Sequence, residues 1–101
     1  MSKNEPITIH TKVSQSTEVV ASEMDDEVVM MSIEQGAYFG LDPVGSRIWE
    51  IIEKPVDVSA LCDQLLEEFE VTRDVCEGDT LSFLNKLSDD KLLEVHHASH
   101  T

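Results

Sequence analysis

The stretch Gly36-Ala-Tyr-Phe-Gly-Leu-Asp-Pro-Val-Gly-Ser-Arg-Ile-Trp-Glu50 marks the junction between a strand-forming and a helix-forming half of the chain. Residues 37–41 contain two adjacent aromatic side chains and predict a short β-strand. Asp42 then offers a side chain that can cap a helix, and Pro43 suits the first helical position because its missing N–H needs no partner there. The sequence therefore predicts strands before residue 42 and helices after it.

The residues before this junction predict an antiparallel meander. Strict alternation of apolar and polar residues from Ile7 to Val13 is typical of a half-buried strand, and two Val-rich segments follow. Asp25-Asp26 predicts a tight turn, and Glu34-Gln35-Gly36 predicts a hairpin loop in which the glycine supplies a positive φ. The predicted strands are residues 7–13, 17–24, 27–33 and 37–41.

The residues after the junction predict three helices, because apolar side chains recur there at helical spacing. The helices run from Pro43 to about Glu53, from the capping Asp57 to about Glu70, and from the capping Thr72 to about Ser88. The apolar face of the first helix is predicted to contain Val44, Ile48, Ile51 and Ile52, with Trp49 at its margin. Residues 92–95 predict a short final strand.

This order of elements predicts an α+β domain that resembles a winged helix-turn-helix, with an N-terminal three-stranded antiparallel sheet followed by three helices. We expect the domain to span residues 7–95, between flexible tails at residues 1–6 and 96–101.

The chain is strongly acidic, with 21 Asp and Glu against 7 Lys and Arg among 101 residues and a formal charge of −14. Nucleic acids and anionic lipids repel such a charge, since binding to them relies on Lys and Arg displacing counterions. The longest apolar run, Val28-Val29-Met30-Met31, is far too short to span a bilayer, and the first residues lack the apolar core of a signal peptide. We therefore expect a cytoplasmic protein that binds neither nucleic acid nor membrane.

The chain also lacks the patterns of an enzyme or a metalloprotein. It has no Gly-rich phosphate loop and no HExxH motif, and Cys62 and Cys76 have neither CxxC spacing nor a His at ligand spacing. Buried, reduced cysteines are the favoured interpretation. We expect no catalytic residue, cofactor or metal. The tail sequence His96-His97-x-x-His100 is a weak candidate for a transition metal, and a frayed terminus is the favoured alternative.

The stretch quoted above resembles the PqqD-like proteins, the peptide-recognition elements of ribosomal natural-product pathways, and above all the free-standing form found in lasso-peptide gene clusters. The same order recurs there: an aromatic pair, then Gly-Leu-Asp, then Val-Gly-x-x-Ile-Trp at the start of the first helix. The later helices agree as well, with Val58 to Val71 followed by Cys76-x-x-Asp79 and then Phe83-Leu84. The resemblance covers residues 7–95. It departs at Asp26 and at Asp90-Lys91, where such proteins often have glycine.

The resemblance implies a binding protein and not an enzyme. Such proteins hold the leader segment of a precursor peptide and present it to a cysteine-protease-like leader peptidase and an ATP-dependent cyclase. The leader is implied to lie along the third strand of the sheet, in the groove between that strand and the third helix. The candidate peptide-binding residues are Ala37, Tyr38, Phe39, Gly40 and Leu41 on the strand and Cys76, Asp79, Thr80, Phe83 and Leu84 on the helix.

The chemistry of residues 37–41 supports this role. The strand lies outside the central one and lacks the Lys, Pro or bulge that usually blunts an exposed edge, so a peptide can pair with its backbone. Alternation predicts Phe39 and Leu41 in the core and Tyr38 on the side nearer the groove, although a register shift of one residue reverses this facing. Asp79 is either a solvated charge or an acceptor for the leader backbone or a basic leader side chain.

Three other functions compete with leader binding. DNA binding conflicts with the second helix, which has no Lys or Arg. A carrier protein would use a serine at a helix start, such as Ser46, but belongs to an all-helical fold. An acidic protein–protein adaptor of another biosynthetic pathway is the remaining alternative, and the acidic second helix fits either a solubility face or a docking surface.

Overall fold

The computed structural model describes residues 7–25, 27–33 and 35–96. Over these residues it contains three helices and two three-stranded antiparallel sheets, so the predicted α+β class is confirmed. The strands are β1 (Lys12–Gln15), β2 (Val19–Met24), β3 (Glu27–Ser32), β4 (Ala37–Gly40), β5 (Val56–Asp57) and β6 (Leu93–His96). The helices are α1 (Pro43–Ile51), α2 (Val58–Glu68) and α3 (Arg73–Asp89).

The predicted meander is confined to one sheet of order β2-β3-β4, and the prediction that the first strand joins it is wrong. That strand, β1, begins only at Lys12 and pairs with β5 and β6 in a separate sheet. Residues 8–11 form a turn, because the Thr11 N–H donates to the Thr8 carbonyl at 3.1 Å and the Thr8 N–H donates to the Thr11 hydroxyl at 3.0 Å. Threonine hydroxyls that bond nearby backbone groups favour turns over strands. The alternation of apolar and polar residues from Ile7 to Val13 therefore predicts a strand where residues 8–11 form a turn.

The inner face of the β2-β3-β4 sheet packs on the helices. Val28 and Met30 of β3 are buried there with Ile48 and Trp49 of α1. Full burial of such apolar side chains contributes about 1.5–3 kcal/mol each. The predicted core positions on the first helix are confirmed, except for Val44, which is 41% exposed. Val44 lies in the first turn of α1, where it borders a surface cavity and not the core.

The predicted helix starts at residues 42 and 57 are confirmed, but the two starts are capped differently. The Asp42 carboxylate accepts a hydrogen bond from the Gly45 N–H at 2.7 Å, as an N-cap should. The Asp57 side chain makes no capping bond. Instead, the N–H groups of Val58 and Ser59 donate to the carbonyls of residues 11 and 9, both at 2.9 Å. Hydrogen bonds to the segment before β1 therefore satisfy the first N–H groups of α2, in place of the capping bond that the sequence predicts for the Asp57 side chain.

A buried hydroxyl joins α1 to the sheet. Ser46 is 4% exposed, and its Oγ accepts a hydrogen bond from the Val28 N–H at 2.9 Å and donates one to the Leu41 carbonyl at 3.3 Å. The Leu41 N–H in turn donates to the Val28 carbonyl at 2.9 Å. In a regular antiparallel ladder the Val28 N–H would donate directly to the Leu41 carbonyl. Here the Ser46 hydroxyl lies between these two groups and hydrogen-bonds to both. It ties β3, the end of β4 and the first turn of α1 together at one point.

The C-terminal end of α3 closes without the expected glycine. Lys91 adopts a left-handed conformation with φ 62°. The Leu92 N–H donates to the Leu87 carbonyl at 2.9 Å and the Lys91 N–H donates to the Ser88 carbonyl at 3.0 Å, which is the pattern of a Schellman motif. The predicted positive φ of Gly36 is confirmed at 65°. Asp26, the other departure from the family pattern, lies outside the described residues.

The two cysteines lie side by side in the core between α2 and α3. Both are buried and in the free thiol form, and the Cys76 Sγ lies 3.9 Å from the Cys62 carbonyl. Burial, reinforced by the neighbouring Cys76, raises the pKa of the Cys62 thiol to about 11. Because the thiolate is the reactive form, Cys62 is protonated and unreactive at neutral pH.

Two further features are absent from the described ranges 7–25, 27–33 and 35–96. No helix there is long and apolar enough to cross a membrane. No group of three or more His, Cys, Asp or Glu side chains in the same ranges is placed to hold a metal ion. The tail residues His97 and His100, named above as weak metal candidates, lie outside these ranges.

Replacing Ser46 by alanine should lower the free energy of unfolding by about 1–3 kcal/mol, because it leaves the Val28 N–H and the Leu41 carbonyl buried without their partner. Urea unfolding followed by circular dichroism measures the loss. Ser82→Ala is the matched control, since Ser82 is exposed on α3, and it should change stability by less than about 0.5 kcal/mol. Equal stability of the two variants would contradict the bridging role.

Lys91→Gly should raise the free energy of unfolding by about 0.5–1 kcal/mol, because glycine adopts the left-handed conformation without strain and this gain exceeds the added freedom of the unfolded chain. The same urea titration measures it. Lys54→Gly, in an exposed bend without a positive φ, should instead be neutral or destabilising. A loss of stability in Lys91→Gly would show that the residue 91 side chain outweighs its backbone strain.

Both thiols should resist a thiol reagent such as DTNB in the native protein at pH 8, because burial excludes the reagent and the Cys62 pKa of about 11 keeps that thiol protonated. Reaction of both thiols should follow when guanidinium unfolds the chain. Absorbance of the released thionitrobenzoate measures this, and rapid native labelling of either cysteine would refute the buried, inert assignment.

Candidate functional site

The β2-β3-β4 sheet leaves one edge of β4 open. Within the described part of the chain, β4 pairs with β3 alone, in a register that places Phe39 opposite Met30 and Gly40 opposite Val29. The Leu41 N–H bonds the Val28 carbonyl, and hydrogen-bonded pairs alternate along an antiparallel ladder. Tyr38 and Gly40 therefore direct their N–H and C=O groups to the open edge.

The side chains of this edge strand divide between the two faces of the sheet. Leu41 is buried and Phe39 is partly buried against the core, so their predicted facing is confirmed. Tyr38 is 73% exposed and borders a shallow cavity with Val20 and Met31 on the opposite, outer face. The prediction that Tyr38 lies nearer the groove is therefore wrong, because alternation turns it away from the helices once Phe39 faces them.

A cavity of about 370 Å³ opens between the start of α1 and the middle of α3. Its first lining residue, Asp42, follows the end of β4 by two positions in the chain, so the cavity starts close to the end of the edge strand. The residues that line it are Asp42, Val44, Gly45 and Ile48 from the α1 end and Asp79, Thr80, Ser82, Phe83 and Lys86 from α3. Its floor is apolar, and its rim combines carboxylates with one ammonium group.

The Phe83 ring lines this cavity and packs closely on the backbone of α1 at Gly45. A Cβ atom added to Gly45 would lie 3.2 Å from the Phe83 Cζ and 3.0 Å from the Asp42 Oδ1. Such distances are shorter than ordinary van der Waals contacts, so a larger residue at position 45 would push these groups away. The absence of a side chain on Gly45 therefore lets the Phe83 ring and the Asp42 carboxylate both lie close to the backbone of α1. Glycine destabilises a helix relative to alanine, so a glycine in the first helical turn indicates that a neighbouring group packs closely there. Gly45 is therefore a signal in the sequence that could have located this contact.

The structure separates the predicted helix residues into two groups. Asp79, Thr80 and Phe83 line the cavity. Cys76 and Leu84 are buried in the hydrophobic core, where they support the helix from behind. Whether any of these residues contacts a peptide stays a prediction. Sequence reasoning missed six cavity residues, namely Asp42, Val44, Gly45, Ile48, Ser82 and Lys86. The first four lie at the start of α1, and spacing along α3 carries no information about which part of another helix packs beside it. Ser82 and Lys86 are polar residues of α3 outside its apolar stripe, so the apolar pattern did not select them.

The far end of α3 is joined to the loop between β3 and β4. The Gln35 side-chain amide donates to the Asp90 carbonyl at 2.6 Å. Lys86 lies one turn earlier, with its ammonium 3.7 Å from the Asp90 carboxylate. The hairpin and α3 are therefore linked at this end, while the Ser46 bridge links the hairpin to α1 at the other.

Both arginines of the chain serve ion pairs between helices. Arg47 of α1 contacts Glu68 of α2 at 2.7 Å, and Arg73 of α3 contacts Asp63 of α2 at 2.6 Å. Hydrogen bonds with Arg47 hold the pKa of Glu68 below its usual range, and Glu68 in turn raises the pKa of Arg47. These guanidinium groups are committed to carboxylates, which leaves α2 and α3 poorly suited to contact phosphates.

Comparison with known proteins gave a family match and two similar structures. The profile of the family described as coenzyme PQQ synthesis protein D (PqqD) matches residues 27–93. No match was found among curated proteins.

The first similar structure is TbiB1 in complex with the TbiA(beta) leader peptide. It is 40% identical, with a TM-score of 0.76, and the match covers 85% of this chain and 99% of that one. The second is a lasso peptide synthetase B1 complexed with the leader peptide, 18% identical, with a TM-score of 0.73; the match covers 81% of this chain and 96% of that one. At that identity the second likeness shows the fold alone. The profile match and the extent of the first likeness agree with the resemblance of residues 36–50, and the chain belongs to the PqqD family.

Proposed function

We propose that this protein binds the leader segment of a ribosomally made precursor peptide, in a pathway of the lasso-peptide type, as an added strand on the open edge of β4. The observation that carries the proposal is the open edge beside a cavity, in a chain 40% identical to TbiB1 over 99% of that protein, whose structure contains a leader peptide. The protein would then present the bound leader to a leader peptidase and an ATP-dependent cyclase.

The backbone of β4 is suited to strand addition. Tyr38 and Gly40 offer two N–H and two C=O groups to an incoming peptide, and main-chain bonds of this kind give affinity with little demand on the peptide sequence. Nothing lies within 4 Å of the position that a Cβ of Gly40 would occupy. A peptide backbone can therefore approach the edge without meeting a side chain there.

Side chains of the added strand would supply selectivity. Those on the inner side point toward the cavity and its Phe83 wall, while those on the outer side lie beside Tyr38. Ordering a flexible leader consumes part of the contact energy, so we expect a dissociation constant between roughly micromolar and tens of nanomolar.

The charges favour a leader that contains Lys or Arg. Asp79 is exposed at the cavity rim and can accept from a basic side chain. The overall charge of −14 attracts such a peptide from a distance, so the association rate should fall as salt rises. Lys86 at the same rim limits how many positive charges the cavity tolerates.

A binding role without catalysis agrees with the burial of both cysteine thiols and of the Ser46 hydroxyl. Cys62 and Cys76 are buried, and the Ser46 hydroxyl is buried and hydrogen-bonded on both sides. A phosphopantetheine carrier would need Ser46 at the surface, so the geometry disfavours that alternative. The cytoplasmic location expected from the sequence stays a prediction.

The proposal is tested by titrating the fluorescently labelled leader encoded beside the gene with the purified protein, using anisotropy. Gly40→Pro removes an outward N–H without touching the β3–β4 ladder, and Phe83→Ala removes the cavity wall. Each should weaken binding by roughly tenfold, the factor that corresponds to about 1.4 kcal/mol.

Ala21→Pro is the matched control, because Ala21 occupies an equivalent outward-facing position on β2, at the other edge of the same sheet. It should leave leader affinity unchanged. Circular dichroism confirms that each variant is folded. Absence of leader binding by the unmodified protein would refute the function, and binding that survives both Gly40→Pro and Phe83→Ala would refute the site.

A further inference from the structure

The β2-β3-β4 sheet has a second open edge, at β2. In the part of the chain that the structure describes, β2 pairs with β3 alone. The Ile33 N–H donates to the Glu18 carbonyl at 3.2 Å, so alternation along the ladder turns the N–H and C=O groups of Val19 and Ala21 toward the open side. The strand contains neither Lys nor Pro, the residues that most often blunt an exposed edge. The backbone of β2 is therefore suited to pair with another extended chain.

A cavity of about 260 Å³ lies beneath this edge, on the side of the sheet that faces α1. The buried residues Val28 and Trp49 form its apolar floor. Ala21 pairs with the buried Met30 and faces the same side, yet it is exposed, because α1 covers β3 and leaves this side of β2 open. Ser22 borders this cavity and also the shallow one on the opposite face, so the β2 backbone is accessible from both sides.

The end of β1 fixes the far wall of the cavity. The Gln15 side-chain amide donates to the Trp49 carbonyl at 2.7 Å, and the Gln15 backbone N–H donates to the Ile52 carbonyl at 3.0 Å. These two bonds hold the end of α1 in place opposite β2. The cavity is therefore formed before any ligand arrives, as small binding sites usually are.

The rim of the cavity is acidic. Glu23 of β2 and two residues at the end of α1, Glu50 and Glu53, border it, and none of its lining residues is Lys or Arg. The Glu50 carboxylate lies 3.2 Å from the Arg47 guanidinium. Glu53 forms no ion pair within residues 7–25, 27–33 and 35–96. The cavity beside α3, in contrast, carries an ammonium group at its rim, so this second cavity is the more favourable one for a cation.

We propose that β2 is a second peptide-binding edge, which pairs with an extended segment of a partner protein and takes an Arg side chain of that segment into the cavity. Every second side chain of an added strand lies on the cavity side, next to Ala21. A guanidinium suits this cavity because it pairs with carboxylates and stacks on aromatic rings such as that of Trp49. A second copy of this chain is disfavoured as the occupant, since its own β2 has a Glu and no Arg to offer.

The two open edges belong to opposite sides of the sheet, with β3 between them. A strand on β2 therefore leaves β4 accessible, and both sites can be occupied at the same time. The proposal for β2 does not depend on leader binding.

The probe is an acetylated and amidated pentapeptide of alternating Thr and Arg, titrated into the isotope-labelled full chain and followed by NMR. We expect a dissociation constant below about 1 mM. The largest shifts should occur at the Ala21 amide and at the indole N–H of Trp49, the single tryptophan. The same peptide with citrulline in place of arginine keeps the backbone and loses the charge, and it should bind at least about fivefold more weakly.

Two proline variants distinguish this edge from the edge of β4. Ala21→Pro removes an outward N–H of β2 and should weaken binding of the Arg peptide by roughly tenfold while leader affinity stays unchanged. Gly40→Pro is the matched control at the other edge and should leave affinity for the Arg peptide within about twofold. Circular dichroism checks that both variants are folded.

A charge reversal tests the cavity without altering the strand. Glu53→Lys should weaken binding of the Arg peptide by roughly fivefold or more. Glu67→Lys makes the same change in net charge at an exposed position of α2, and it should weaken binding by less than about twofold. Equal effects of the two variants would show that only the net charge attracts the peptide, and would overturn the site.

Four other results would overturn the proposal. They are the absence of binding below about 1 mM, equal binding of the citrulline peptide, loss of Arg-peptide binding in Gly40→Pro, and a dimer in sedimentation velocity that Ala21→Pro dissociates. The third would place the peptide on the edge of β4, and the fourth would make a second copy the occupant. Failure of the leader to bind in the anisotropy titration would remove the function proposed above and leave the result for β2 standing.

Discussion

The arrangement of the candidate site depends on the buried hydroxyl of Ser46. It accepts from Val28 and donates to Leu41, at the point where β3, β4 and α1 meet. A hydroxyl can take part in a strand ladder and belong to a helix at the same time, so it holds the last residue pair of the hairpin against the first turn of α1. The open edge of β4 and the cavity beside α3 consequently keep one fixed relation, which a peptide bound to both would require.

The acidic charge of the chain has more than one role in this fold. Two carboxylates of α2, Asp63 and Glu68, pair with arginines of α3 and α1, so part of the acidic second helix holds the helices together. Exposed pairs of this kind contribute little each, about 0–1 kcal/mol, and their value lies in orientation. Asp79 stands at the cavity rim, and Glu18 and Glu27 lie at opposite ends of the solvent-facing side of the β2-β3-β4 sheet. The acidic side chains are thus divided between ion pairs that join the helices, the rim of the cavity and the two ends of the exposed sheet face.

Local signals predicted most of the fold and about half of the candidate site. Pro43 and the Asp42 cap located α1, and Thr72 located α3, because capping chemistry involves only a few consecutive residues. The first strand was assigned to the wrong sheet, since alternation from Ile7 to Val13 cannot show which strand is its neighbour. On α3, helical spacing put Cys76 and Leu84 with Phe83, although the first two face the core and the third faces a cavity.

The sequence by itself determined the α+β class, the strand-to-helix junction at residues 41–43 and the acidic balance that disfavours nucleic acid, because these depend on local chemistry and on composition. Only the tertiary structure decided that β1 leaves the meander, that Tyr38 faces away from α3 and that Gly45 receives the Phe83 ring. Each of these depends on contacts between residues far apart in the chain. Periodicity places a side chain on a face of its own helix or strand, but only the packed neighbour decides whether that face becomes core, cavity or open surface.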